Sequence, residues 1–273
     1  MADAKETAEY IKLDLPVGLQ QTEPVPAEKR LPADDITISL CDSNDASDIA
    51  AGLYEAFPAA FWDHKEPIAL RPPEQATRQT RLANRLRAVF LNPKINWVKA
   101  TLTTTGQIIG VAGWVAPGNP IHNHFRKSAV DFYGWREKLG WSDEEFEEMW
   151  KGVDLEAWDG TFSKDDETRK EVLGEEEHWY LAPLYTLPGF QGRGVGTRLL
   201  DWAFKQADAT SPVTPCYLES APTARAVYMH AGFVPVGNIN FVRRGPRKVT
   251  EEEMQKVHAK VVDSEVRGVG KVV

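Results

Sequence analysis

Hydrophobic positions change their period repeatedly along this chain, and each change marks an element. Ile36, Ile38 and Leu40 alternate with polar residues, which predicts a half-buried strand. Asp42, Ser43 and Asn44 then offer helix caps, and Ile49, Leu53 and Phe57 recur at helical spacing until Pro58. A second helix is expected from about Pro73, through Leu82, Leu86, Val89 and Phe90, to Asn92 before Pro93. Between the two, Phe61-Trp62-Asp63-His64 reads as an aromatic loop. Val98, Ala100 and Leu102 alternate, Gly106 turns the chain, and Ile109, Val111 and Val115 alternate again, which predicts a hairpin. A strand from His178 to Thr186 leads into a glycine-dense turn. A helix follows, with Leu200, Ala203 and Ala207 on one face. Cys216 to Ser220 reads as a short strand, Pro222 as a helix start, and Val234, Val236, Ile239 and Phe241 as one or two closing strands. Met254, Val257 and Val261 predict a C-terminal helix within 248–265.

Between Pro117 and Glu177 the character changes. Trp135, Trp141, Trp150 and Trp158 fall here, with the acidic run Asp143 to Glu148. Ser142 and Glu145 have capping-box spacing. We read a helical insertion whose aromatics pack on the main domain and whose charges are solvated. Residues 1–33 form an extension in which Ile11, Leu13 and Leu15 alternate. Residues 34–245 form one α/β domain with a central mixed sheet flanked by helices, and 246–273 a C-terminal helix and tail.

Composition narrows the classes. At 273 residues and 42% hydrophobic, the chain can build a sizeable core. A net charge of −8 argues against general nucleic-acid binding. No apolar run approaches membrane-spanning length, and the first residues carry no signal-peptide pattern. Cys41 and Cys216 imply no disulfide framework, which suggests a reducing, cytoplasmic setting. His122 and His124 lack companions at zinc spacing, so no metal is expected.

The chemistry gathers at Gln191-Gly-Arg-Gly-Val-Gly196. A strand, a glycine turn and a helix start make a phosphate cradle, because glycines clear the backbone and the first helical turn leaves N–H groups unpaired. A Walker loop would need Lys-Ser/Thr where Val195-Gly196 stands. A dinucleotide fingerprint would need glycine where Thr197 stands, early in the domain. A glycine turn that merely connects two elements stays open.

A further pattern fits better. Gln191-Gly-Arg-Gly194-Val-Gly196 matches Q/R-x-x-G-x-G/A, and Tyr228-Met-His-Ala-Gly232-Phe233 follows the Leu218-Glu-Ser220 strand. Both resemble motifs of the GCN5-related N-acetyltransferase (GNAT) superfamily, and the element order from Ile36 to Phe241 is similar. The resemblance implies an acetyl-CoA-dependent N-acetyltransferase acting by direct attack in a ternary complex. The backbone of Leu184, Tyr185 and Thr186 would pair with the pantetheine arm. The turn (Gln191, Gly192, Arg193, Gly194, Val195, Gly196 and Thr197) would take the pyrophosphate, with Arg193 and Arg198 as added phosphate contacts, and Ser220 would lie at the cofactor. An oxyanion would meet a backbone N–H near Tyr185. Tyr228 would be the proton donor to the leaving thiolate, though a buried tyrosine also suits a core.

The base is less defined. The motif strand offers Tyr180 and Ala182 where relatives often carry an acid. Glu177 and His178, at the strand's start, are candidates acting through water; Glu219, one strand over, is weaker because its side chain can face the wrong side. The expected acceptor is a small-molecule amine, since a large aromatic insertion suits a roofed pocket and an aromatic wall around Phe61, Trp62 and His64 suits an apolar body. Action on a protein amine, or acyl-CoA binding without catalysis, are the alternatives.

Overall fold

The computed structural model describes residues 26–221, 224–247 and 250. One seven-stranded mixed sheet, ordered β1-β2-β3-β4-β5-β7-β6, carries the described chain. Its strands are β1 (Ile36–Leu40), β2 (Ile95–Leu102), β3 (Ile108–Val115), β4 (Trp179–Thr186), β5 (Cys216–Glu219), β6 (Val234–Pro235) and β7 (Asn240–Arg243). All described pairings are antiparallel except β4–β5.

Helices cover both faces. On one lie α1 (Ala46–Ala56), α2 (Ala59–Lys65), α3 (Gln75–Arg87) and the 117–177 segment, packed on Trp97, Val111, Tyr180, Tyr185 and Tyr217. On the other lie α8 (Val195–Ala207) and α9 (Arg225–His230), packed on Val98, Ala112, Trp114, Leu181 and Leu218. Helix α8 buries Val195, Leu199, Leu200, Ala203, Phe204 and Ala207, a stripe at the 3.6-residue period.

The 117–177 segment contains α4 (Ala129–Phe132), α5 (Trp135–Leu139), α6 (Asp143–Glu148) and α7 (Leu155–Leu173). The capping box forms as expected, Ser142 accepting from Glu145 N–H and Glu145 from Ser142 N–H. Trp135, Trp150 and Trp158 are buried in the core against the sheet, with Trp141 half-buried beside them.

One local expectation is corrected. The aromatic stretch Phe61 to His64 is helical, within α2. Trp62 and Lys65 are buried, and the Lys65 ammonium sits 4.7–5.7 Å from the ring centres of Phe61, Trp158 and Phe162. Contact with the insertion, not local propensity, explains a seven-residue helix between two prolines. The expected helix start at Pro222, the strand around Ile11 to Leu15 and the C-terminal helix in 248–265 lie outside the described residues.

The sheet is interrupted where the site forms. The β3–β4 register shifts between Ala112 and Trp114, so Ala182 and Pro183 bulge opposite Gly113. Pro183 has no N–H to give the ladder. Gly113 is required there, because an added Cβ would fall on Ala182 O and lie 3.0 Å from Pro183 Cδ. Gly113→Ala is expected to cost about 1–3 kcal/mol of stability through this overpacking. Thermal unfolding checks it, and an unchanged midpoint would show that the bulge yields freely. Among the described residues, no helix is long and apolar enough to cross a membrane.

Candidate active site

Strands β4 and β5 run side by side only as far as Leu181 and Leu218. Beyond that pair they part, and residues 184–186 keep partners on the β3 side alone. Leu187 N–H donates to Ile109 O of β3, at 2.9 Å. Peptide groups alternate along a strand, so Tyr185 N–H also faces β3, while Leu184 and Thr186 turn theirs to the open side. Of the backbone N–H groups near Tyr185, those of Leu184 and Thr186 face the cleft. The Tyr185 phenol lies on the far face, donating to Ile49 O at 3.4 Å.

The glycine turn follows. Gly192 and Gly194 have φ of +67° and +81°, a left-handed conformation that glycine adopts without strain. Gly194 caps α8, which has no side-chain cap and no acidic residue in its first turn. The N–H groups of Val195, Gly196 and Thr197 thus begin an uncapped helix, where the dipole favours an anion. Gln191 folds back, its Nε2 donating to Thr186 O at 3.0 Å. The Arg193 guanidinium lies 6.0 Å over the Phe190 ring. Arg198 has another task than the one expected. It donates to Leu31 O at 2.8 Å and Ala33 O at 3.2 Å, while Leu31 N–H donates to Arg193 O at 3.1 Å. Residues 26–35 are thereby strapped across the start of α8.

A cavity of about 210 Å³ opens where the strands part. Its walls include Leu53, Phe57, Phe61 and Trp62 from one side of the molecule, and Phe125, Trp158 and Phe162 from the insertion. Ala182, Pro183, Leu184, Ala221 and Ala224 form its floor, and Tyr228 and Glu219 face it. Tyr228 is buried, with its ring edge-on to Phe233 at 5.8 Å. Burial pushes its phenol above the ordinary value, so it stays protonated.

Glu219 is the acid that sequence reasoning ranked low. It stands on β5, two residues past Tyr217, and therefore on the same face. Part of the side chain meets the cavity, but Oε1 is shut off from solvent without a hydrogen-bond partner. Its carboxyl is pushed up to about 8, first by desolvation and then by Asp165 of α7; Arg169, Tyr180 and Tyr217 act the other way. Asp165 itself is raised to about 6, mainly by burial.

The other sequence candidates lie away from the cavity wall. Glu177 is exposed in the loop before β4. His178 holds Nδ1 2.7 Å from Glu176 O, and burial lowers its pKa. Tyr180 is buried behind the wall, accepting from Asn123 Nδ2 at 3.0 Å. Ser220 is buried just past β5, its hydroxyl donating to Ala221 O at 2.9 Å. His64 belongs to α2 but does not line the cavity. Among the described residues, no three His, Cys, Asp or Glu side chains are grouped to hold a metal ion. His124 is buried, with its imidazole lowered to about 3, chiefly by desolvation.

This parting of two parallel strands above a glycine-turned helix agrees with a family-level match. Residues 166–268 match the family model described as acetyltransferase (GNAT) domain. Over those residues, somewhat more than a third of the chain, the sequence is similar to a GNAT acetyltransferase domain. The match begins inside α7, so β1 to β3 and most of the insertion precede it.

Similar solved structures include a histone acetyltransferase HPA2 and related acetyltransferase from Corynebacterium glutamicum, at 21% identity and a TM-score of 0.48, over 79% of this chain and 99% of that one. A GNAT family acetyltransferase from Brucella melitensis in complex with acetyl-CoA is 15% identical, with a TM-score of 0.38, over 79% and 91%. Arylalkylamine N-acetyltransferase 2 from Aedes aegypti is 17% identical, with a TM-score of 0.44, over 74% and 84%. Likeness at these values says nothing of what this chain acts on. No curated protein matches the chain.

Proposed function

We propose that this protein transfers the acetyl group of acetyl-CoA to the primary amine of a small molecule, by direct attack within a ternary complex. The observation that carries the reading is Glu219: a carboxyl with an unpartnered oxygen, facing an apolar cavity where β4 and β5 part, beside Tyr228. A carboxyl oxygen shut off from solvent without a partner calls for a cation or a proton. An incoming ammonium supplies both.

The donor fits the uncapped start of α8 and the unpaired edge of β4. The turn from Gln191 to Thr197 would hold the pyrophosphate, and the edge from Leu184 to Thr186 the pantetheine arm. Acetyl-CoA supplies the acyl group. Ionised Glu219 takes the proton of the ammonium, leaving a neutral amine to attack the thioester carbonyl. A cleft-facing N–H of Leu184 or Thr186 donates to the developing oxyanion. The Tyr228 hydroxyl donates to the sulfur as the carbon–sulfur bond breaks and is restored by the second proton shed from the attacking nitrogen, while the proton held by Glu219 leaves with the products.

The acceptor is small and has an apolar body. About 210 Å³ is below the ~300–1,000 Å³ common for small-molecule sites, and seven of the named wall residues are large apolar or aromatic side chains roofed partly by the insertion. A polypeptide would need an open groove.

Release of free CoA thiol across a panel of amines and peptides tests the proposal. Turnover on compact apolar amines is expected. Turnover on peptides alone would replace the acceptor class, and tight acetyl-CoA binding with no thiol release on any amine would sink the enzymatic reading. Tyr228→Phe is expected to lower kcat on the order of 10²-fold while leaving acetyl-CoA affinity unchanged, measured by steady-state kinetics and calorimetry. Unchanged kcat would return Tyr228 to a packing role.

A further inference from the structure

The two ends of an acceptor would meet different walls of the cavity. Glu219 stands on β5, in the sheet. The rings of Phe61, Trp158 and Phe162 come from α2 and α7, helices that cover that face of the sheet. All three rings carry a cation on their hidden side. Lys65 is 1% exposed and does not line the cavity. Its ammonium lies 4.7 Å from the centre of the Phe162 ring, 5.2 Å from that of Phe61 and 5.7 Å from that of Trp158. Trp158 holds a second cation: the Arg85 guanidinium of α3 lies 4.7 Å over it, and 4.7 Å over Trp150.

These charges are thinly countered. Lys65 Nζ donates to Ala157 O at a long 3.5 Å. Burial lowers its pKa to about 8, against the pull of Asp165 and Asp159, so it keeps its proton at neutral pH. The Glu66 carboxylate is shared between two guanidinium groups, accepting from Arg78 Nε at 2.8 Å and from Arg85 Nη2 at 3.4 Å. Arg85 Nε and Nη1 are buried without partners. The rings themselves are fixed in place: Trp158 Nε1 donates to Phe125 O at 2.6 Å, and Phe162 stacks on Phe125 at 5.3 Å. An aromatic ring draws a cation to its electron-rich face. Once one cation is there, the ring offers less to a second, which also meets the first charge across a medium that screens poorly. A methionine would fill the space among these rings without the cost of a buried charge, so it is the ammonium of Lys65 that needs a reason.

We propose that Lys65 and Arg85 set the charge class of the acceptor: standing behind the rings, they make this wall reject a second positive charge, so the substrate is a monoamine with an uncharged body and not a diamine or polyamine. The proposal rests on the acetyl-transfer reading, in which the reacting amine goes to Glu219. It narrows that reading. An apolar wall disfavours charge of either sign, whereas a wall backed by two cations disfavours positive charge above all. The acceptor is thereby oriented as well as selected, its ammonium toward the sheet and its neutral body toward the helices.

The test compares n-pentylamine with 1,5-diaminopentane, equal in length and different by one ammonium, as acceptors for the full chain with acetyl-CoA. In the wild type, kcat/KM for the monoamine is expected to exceed that for the diamine by on the order of 10²-fold. In Lys65→Met, which keeps a straight apolar side chain and loses the charge, that ratio is expected to fall about tenfold. Lys65→Gln is a second neutral variant, used if the first fails to fold. A merely structural role for Lys65 would lower both rates together and leave the ratio in place; that result would overturn the proposal. So would a wild-type enzyme that uses the diamine as well as the monoamine. Absence of turnover on either amine would overturn the acetyl-transfer reading instead. Calorimetric binding of the same two amines to wild type and Lys65→Met then decides the charge rule by the same ratio, and no binding of either would overturn it too.

Discussion

Glu219→Gln is expected to lower kcat/KM for the acceptor by on the order of 10²–10⁴-fold, the usual worth of a positioned general base. The amide keeps the shape of the side chain but cannot take a proton. The sign of the pH effect follows from the raised carboxyl. Below about 8 Glu219 is mostly protonated and idle; above it the carboxylate forms and the rate rises. The wild-type profile should therefore climb through about pH 8, and in Glu219→Gln only the rise due to the amine's own ionisation should remain. The bound ammonium draws the carboxyl downward, so kcat at saturating acceptor should rise at lower pH than kcat/KM. Parallel profiles for the two enzymes would falsify the assignment.

The second large effect is expected at the glycine turn. Gly194→Asp should weaken acetyl-CoA binding by more than about 100-fold, because a carboxylate placed at the helix start takes the position of the phosphate. The fold should survive. Aspartate is among the few residues that enter the left-handed region locally, and the nearest atom to its Cβ would be Arg30 Cγ at 3.6 Å, an ordinary contact. Calorimetry reads the affinity and circular dichroism the fold. A folded variant with near-wild-type affinity would place the pyrophosphate elsewhere.

These two residues differ in how openly the sequence declares them. The turn is written in local terms: Gly192 and Gly194 hold left-handed backbone, and the stripe from Val195 to Ala207 has one period throughout. Tyr228 was legible through its spacing to Gly232-Phe233. Glu219 was not, because β5 is covered on both faces and alternation there cannot tell the cavity side from the other. Its signal was an acid closing an otherwise apolar strand, Cys216-Tyr-Leu-Glu. Helix α2 was hidden because its turns are fixed by Trp62 and Lys65 packing against an insertion about a hundred residues away. Arg198 misled in the opposite sense. It stands where a phosphate arginine would, yet its partners are the carbonyls of Leu31 and Ala33.

That last contact sets an order of events in folding. The bonds from Arg198 close a loop of 165 to 167 residues, among the longest connections in the described chain. Loop closure of that length is entropically expensive and slow. During synthesis the strap waits, exposed, until most of the sheet and α8 have been made. The finished start of α8 therefore arrives near the end of assembly, when the strap from residues 31–33 finally meets a helix from the last third of the chain.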